Sequence, residues 1–149
     1  MSEVTPKAFR DDLLGSFATY WAANHPTVPV AYPNLPFDPE GAGEDADAAW
    51  VRLFIAGNED GGQQRFSNSV SSTQWHRSGK LTIEIYVREG SSTDRAYDLA
   101  SSVALWLENS GATYAMLSNI SAPVEIGPDG TWFQLSLSAD WLYITDRAA

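Results

Sequence analysis

Apolar residues recur at Phe9, Leu13, Phe17, Tyr20 and Trp21, with Lys7, Arg10, Asp11 and Asp12 on the other faces. This spacing predicts an amphipathic helix over Thr5 to Ala23. The helix has to stop before His25-Pro26, because the proline ring disfavours helical backbone at the residue before it. His25 then stands at the helix end, where an imidazolium would interact well with the helix dipole. A short extended segment, Thr27 to Tyr32, follows.

The stretch from Pro33 to Ala49 mixes Pro33, Pro36 and Pro39 with Gly41, Gly43 and several acids, a composition that supports neither helix nor central strand. It reads as a long acidic surface loop of the length that usually carries function. Ala49 to Ala56 sets Val51, Leu53 and Ile55 against Trp50, Arg52 and Phe54, a strand with large groups on both faces. After the turn residues Gly57 to Gly62, the serine-rich stretch Gln63 to Trp75 has little to bury and predicts an arm projecting from the domain.

Gly79 to Arg88 has the cleanest alternation, with Leu81, Ile83, Ile85 and Val87 facing one way and Lys80, Thr82, Glu84, Tyr86 and Arg88 the other. Ser92 or Thr93 then caps a second helix reaching about Asn109, with Ala96, Leu99, Ala100, Val103, Trp106 and Leu107 as its stripe. Thr113 to Ile126 and Thr131 to Thr145 read as a hairpin around Gly127-Pro128-Asp129-Gly130. Its second strand is longer than one small domain needs, which predicts a bend or an overhang onto a neighbour. The whole is a single α+β domain over residues 1–149, an antiparallel or mixed sheet with two helices packed on one face and a projecting β-arm.

Composition narrows the chemistry. The 149 residues include no cysteine, which removes disulfides, thiolate nucleophiles and the usual structural zinc sites. No apolar run is long enough to span a bilayer, and Met1 to Arg10 has no apolar stretch suited to a signal peptide, so neither membrane nor secretion is expected. A net charge of −10 repels a phosphate backbone, so sequence-specific binding of nucleic acid is not expected.

Candidate motifs are each weaker than their plain structural reading. Gly41-Ala42-Gly43-Glu44-Asp45-Ala46 matches a dinucleotide-binding pattern but follows a proline-rich loop instead of a strand, and its acids repel a pyrophosphate. The acids of this loop match no calcium-loop spacing. His25 and His76 are the only imidazoles, too few for a metal site without a carboxylate brought in by the fold. No Gly-x-Ser-x-Gly elbow is present, and no carboxylate pair stands in an apolar setting. Neither a catalytic residue, a cofactor nor a metal is expected. Arg52, among large apolar neighbours, needs an acidic partner inside the chain or across an interface. Arg77, at the entrance of the cleanest strand, is suited to directed hydrogen bonds; a surface ion pair is its plain alternative.

Several features fall together: Arg10 with Leu13 and Leu14 in a leading helix, Val28-Pro29-Val30-Ala31-Tyr32-Pro33-Asn34 with Phe37, Trp50-Val51-Arg52-Leu53, and Arg77-Ser78-Gly79-Lys80-Leu81-Thr82-Ile83. An amphipathic helix and a closing hairpin with Trp132 complete the order. This resembles the tail-terminator (tail-completion) proteins of long-tailed bacteriophages. The resemblance implies a non-enzymatic structural subunit without cofactor, whose hexameric ring caps the tail tube, stops polymerisation and meets the neck or head-completion protein. It implies a place in the virion, at the tail-neck junction, after assembly in the bacterial cytoplasm. It further implies pairing within or between subunits for Arg52 and Arg77, and tube, neck or subunit contacts for the arm with Arg65, Trp75 and His76. Asp38, Glu44 and Asp47 are then expected at an acidic lumen through which DNA passes without specific binding.

Two other readings remain at this point. Another neck component, such as a head-completion or stopper ring, has similar size. A small-molecule-binding protein or hydrolase would enclose a pocket among Trp50, Trp75, Trp106, Trp132 and Trp141.

Overall fold

Thr5 opens the first helix: its hydroxyl accepts a hydrogen bond from the Ala8 amide at 3.1 Å, and Pro6 presets the first helical turn. In this computed structural model, which describes residues 4–39, 48–58, 63–67, 72–90 and 93–148, helix α1 spans Pro6–Asn24. It is followed by β1 (Val30–Ala31), β2 (Ala49–Gly57), β3 (Gln63–Ser67) and β4 (Ser72–Arg88). Helix α2 (Asp94–Glu108) leads to β5 (Met116–Ser118), β6 (Val124–Asp129) and β7 (Trp132–Ala148).

All seven strands form one mixed sheet in the order β1-β2-β4-β7-β5. β3 joins the β2 side of β4, and β6 joins the β5 side of β7. Among the described strands, the β1–β2 pairing alone is parallel. The fold is therefore α+β. Phe9, Leu13, Phe17 and Trp21 recur every fourth position of α1 and are buried with Leu99, Val103 and Trp106 of α2. These stripes cover Val51 and Leu53 of β2, Leu81, Ile83 and Ile85 of β4, and Leu135, Leu137 and Ala139 of β7. Strand alternation puts these residues on one face, so both helices lie on that face.

Three local ties fix the helices. The Tyr20 hydroxyl lies 2.9 Å from both the carbonyl and the hydroxyl of Ser102. The Asp12 carboxylate accepts the amides of Thr113 and Tyr114, both at 2.9 Å, and so holds the chain leaving α2. The Trp21 indole donates to the Val28 carbonyl at 3.1 Å, closing the bend after Pro26.

Several elements differ from the sequence expectation. β4 begins at Ser72, not Gly79, because its polar half is held by backbone pairing with β3 and β7 and needs no buried stripe. The overlength of β7 is met inside the chain: all 17 residues of β7 pair with all 17 of β4. Of the expected segment Thr27 to Tyr32, only Val30–Ala31 is strand. The segment Thr113 to Ile126 is broken into β5 and the start of β6, both paired to β7. The hairpin turn falls at Gly130-Thr131, with a bulge between Glu125 and Gly127. Positive φ at Gly127 (103°) and Gly130 (65°) is what glycine permits there. Thr93 occupies the cap of α2 but makes no side-chain capping bond.

His25 also departs from expectation. Its ring packs on Trp21 at 4.4 Å between centroids, and Nε2 lies 2.8 Å from the Ser102 hydroxyl. Desolvation, and secondarily the nearby Arg95 charge, lower its pKa, so the environment disfavours the imidazolium expected at a helix end.

Candidate functional site

The face of the sheet opposite the helices carries a second cluster. Trp50 and Tyr86 stand opposite each other in the β2–β4 register and stack with centroids 4.0 Å apart and planes 4° from parallel. Phe37 packs on Trp50 at 4.9 Å, and Trp132 meets Trp50 edge-on at 6.1 Å. Ala31 and Ala48 complete this small core. Tyr86, expected on a solvated face, is buried in this cluster, stacked on Trp50.

Beside this stack, Arg52 and Glu84 are register partners. Arg52 Nε and Nη2 donate to Glu84 Oε1 at 3.1 and 2.9 Å, and Nη2 also reaches the Tyr86 hydroxyl at 2.9 Å. The Tyr86 hydroxyl donates to Glu84 Oε1 at 3.1 Å, while Gln134 donates to Oε2. Both oxygens of Glu84 are thus committed to neighbours. Burial, reinforced by the Glu84 charge, pushes the Tyr86 phenol up to about 12. The Arg52 guanidinium lies 4.7 Å from the centre of the Phe54 ring, and Arg88 lies 4.4 Å from that of Trp132. The arrangement binds three strands together and assigns the acidic partner of Arg52 to its own chain.

Two concavities flank Arg52 and Trp50. One, of about 330 Å³, runs toward Tyr32, Asn34 and Leu35; the other, of about 370 Å³, runs toward Thr131 and Trp132. Trp106 and Trp141 lie on the opposite side, in the core beneath the helices. The tryptophans therefore do not enclose a common pocket, which corrects the geometry expected for a ligand-binding reading. Among the described residues, no group of three histidines, aspartates or glutamates is placed to hold a metal ion.

The remaining interface candidates sit elsewhere. Trp75, His76 and Arg77 lie in the polar half of β4, seven or more residues from the Glu84 position, or at least about 23 Å along the strand. β3 places Arg65 opposite Trp75, Gln64 opposite His76 and Gln63 opposite Arg77. On the other side the same three β4 residues face Thr145, Ile144 and Tyr143 of β7. Trp75, His76 and Arg77 are half-buried. The structure thus gathers Arg65, Trp75, His76 and Arg77 into one three-stranded extension and separates them from Arg52. Asp38 is exposed; Glu44 and Asp47, like the Gly41 to Ala46 pattern, lie outside the described residues.

Glu84, Tyr86 and Gln134 were not singled out from sequence. Their signal was the alternation of β4, which put Glu84 and Tyr86 on one face without saying which strand lay beside them.

No family model and no curated protein matches this chain. A solved structure aligns over 92% of this chain and 92% of its own, with a TM-score of 0.56 and 18% identity. At that identity the likeness concerns the fold alone.

Proposed function

We propose that this chain is a structural virion subunit of the tail-terminator type. Its copies close into a ring, hexameric by the resemblance, that caps the tail tube, ends tube polymerisation and joins the tail to the neck. It does so as a scaffold, without catalysis or cofactor.

The observation that best supports this reading is the β4–β7 ladder. It continues past Gly79 and Trp141, beyond the end of β2, into an extension that β3 flanks on the β4 side, and that extension carries Arg65, Trp75, His76 and Arg77. A strand pair whose far end carries polar and aromatic positions suits a subunit that meets neighbours there. The net charge of −10 suits a ring through which DNA passes without adhering. Exposed Asp38 is the described candidate for its lumen.

The test is polymerisation of tail-tube protein with and without this chain, followed by electron microscopy. Rings at tube ends and shorter tubes are the expected result. Tubes of unchanged length with bare ends would overturn the assignment, and rings bound only to head-connector protein would point to a stopper.

A further inference from the structure

We infer that the outer edge of β2, from Leu53 to Gly57, pairs antiparallel with the same edge of a second copy, about a two-fold axis at Ile55. The contact goes beyond the ring reading and does not depend on it. It joins copies in pairs through β2 and makes no use of the β3–β4–β7 extension.

Residues along a strand present their backbone groups to alternate sides. The Val51 amide donates to the Pro29 carbonyl at 3.0 Å, on the β1 side, whereas the Asn58 amide donates to the Ser78 carbonyl at 3.0 Å, on the β4 side. Ile55 and Gly57 therefore turn their amides and carbonyls toward the β1 side. Among the described strands β1 alone lies there, and it ends at Ala31, before Pro33 and opposite Arg52. The amides and carbonyls of Ile55 and Gly57 thus have no strand partner among the described residues. Leu53 and Phe54 also line the open concavity of about 330 Å³ that they share with Tyr32 and Leu35, so space remains between this edge and the chain leaving β1.

Edge strands are ordinarily guarded against pairing by charges, prolines, bulges or shortness. The far side of the sheet has such guards: β6 carries a bulge and Pro128, and β5 is three residues long. Leu53–Gly57 has neither a charge nor a proline, and its register with β4 is unbroken. Its Phe54 keeps 42% of its surface in solvent.

The occupant is a second copy because the edge complements itself. With Ile55 on the axis, the two Ile55 residues exchange amide–carbonyl bonds, and Gly57 stands opposite Leu53 of the second copy. Phe54 then faces Ala56 of the second copy in a non-hydrogen-bonded pair, where side chains come closest. Symmetry repeats this match of a large side chain with a small one. No like charges are opposed, since the stretch holds none. Asn58 is drawn toward Ser78 by its amide and, at 3.0 Å, by its side chain, which keeps the chain clear of β1 of the second copy. A ladder of five residues is about 17 Å long. That is small beside the roughly 800 Å² per partner of a standard interface, so the dimer is weak and concentration-dependent.

The test uses the full chain, which has no cysteine, so a single introduced thiol can bond only to another copy. Ile55→Cys places it on the axis, and Lys80→Cys places it on the open sheet face away from the edge. Under mild oxidation at about 100 μM, I55C should form a covalent dimer at least about tenfold faster than K80C. Equal rates would overturn the contact. Sedimentation velocity from about 10 μM to about 1 mM measures the non-covalent pairing. Ala56→Lys, which sets a lysine against Phe54 of the second copy, should weaken it at least about tenfold. A wild type without dimer up to about 1 mM, or an A56K that associates as well as wild type, overturns the contact. Circular dichroism identifies a misfolded variant, in which case Phe54→Lys carries the same measurement. Rings formed by A56K on tail tubes bear on the ring reading alone, so the two can fail separately.

Discussion

Gly79 lies directly beneath the Trp141 indole: a Cβ built on it would sit 2.4 Å from the ring and 2.0 Å from the Ala56 carbonyl oxygen. This contact lies where β2 ends, with Gly57, Gly79 and Trp141 in one register row. Gly79→Ala should therefore abolish folding or cost about 3 kcal/mol or more, since neither backbone nor a packed indole can yield. Gly57→Ala, with nothing within 4 Å of the added carbon, is the control and should change stability by less than about 1 kcal/mol. Urea denaturation compares the two, and equal stabilities would contradict the close approach.

Arg52→Ala leaves Glu84 with Tyr86 and Gln134 but without its cation. The Arg52 side chain is 40% exposed and that of Glu84 only 16%, so the loss should be about 1–2 kcal/mol, between the values for a surface and a buried pair. Because the partner lies in the same chain, self-association of the folded variant should match wild type. Lost assembly at unchanged stability would return Arg52 to an intersubunit role.

Asp12 holds two backbone amides across the α1–β5 junction, whereas Asp11 pairs with Lys7 and Arg10 on an open helix face. Asp12→Ala should cost about 1–2 kcal/mol in chemical denaturation. Asp11→Ala should cost less than about 0.5 kcal/mol, in keeping with exposed pairs. A reversed order would show that the junction is held by other contacts.

His25 gives the fold a pH dependence with a defined sign. Its pKa is lowered in the folded chain by desolvation and by Arg95, so the unfolded chain binds the proton first. The stability it contributes is complete above the unfolded value of about 6.5 and declines as pH falls below it toward and through the folded value. His25→Gln should flatten this part of the stability profile between about pH 7 and pH 5. An unchanged profile would show that the imidazole is protonated without penalty.

The helices, the central strands and their buried stripes were legible because the helix and strand periods are local properties of the chain. α1 spans Pro6–Asn24 where the apolar spacing predicts a helix over Thr5 to Ala23, and Leu81, Ile83, Ile85 and Val87 are buried together. The polar half of β4 was not legible: Ser72 to Ser78 is strand because β3 and β7 pair with its backbone, a relation that side-chain pattern does not carry. Likewise, Arg52 advertised a need for an acid. Choosing Glu84 required the β2–β4 register, set across a connection of 14 residues between Gly57 and Ser72. The burial of Tyr86 depends on Trp50 and Trp132 joining it from separate strands, which no single window contains.

The central claim is that this subunit works as a ring on a tail tube. Its most direct test is the mass of the purified protein by light scattering over a concentration series, alone and with tail-tube protein. A hexamer in either condition is the predicted result. A monomer in both, indifferent to tube protein, would contradict the account.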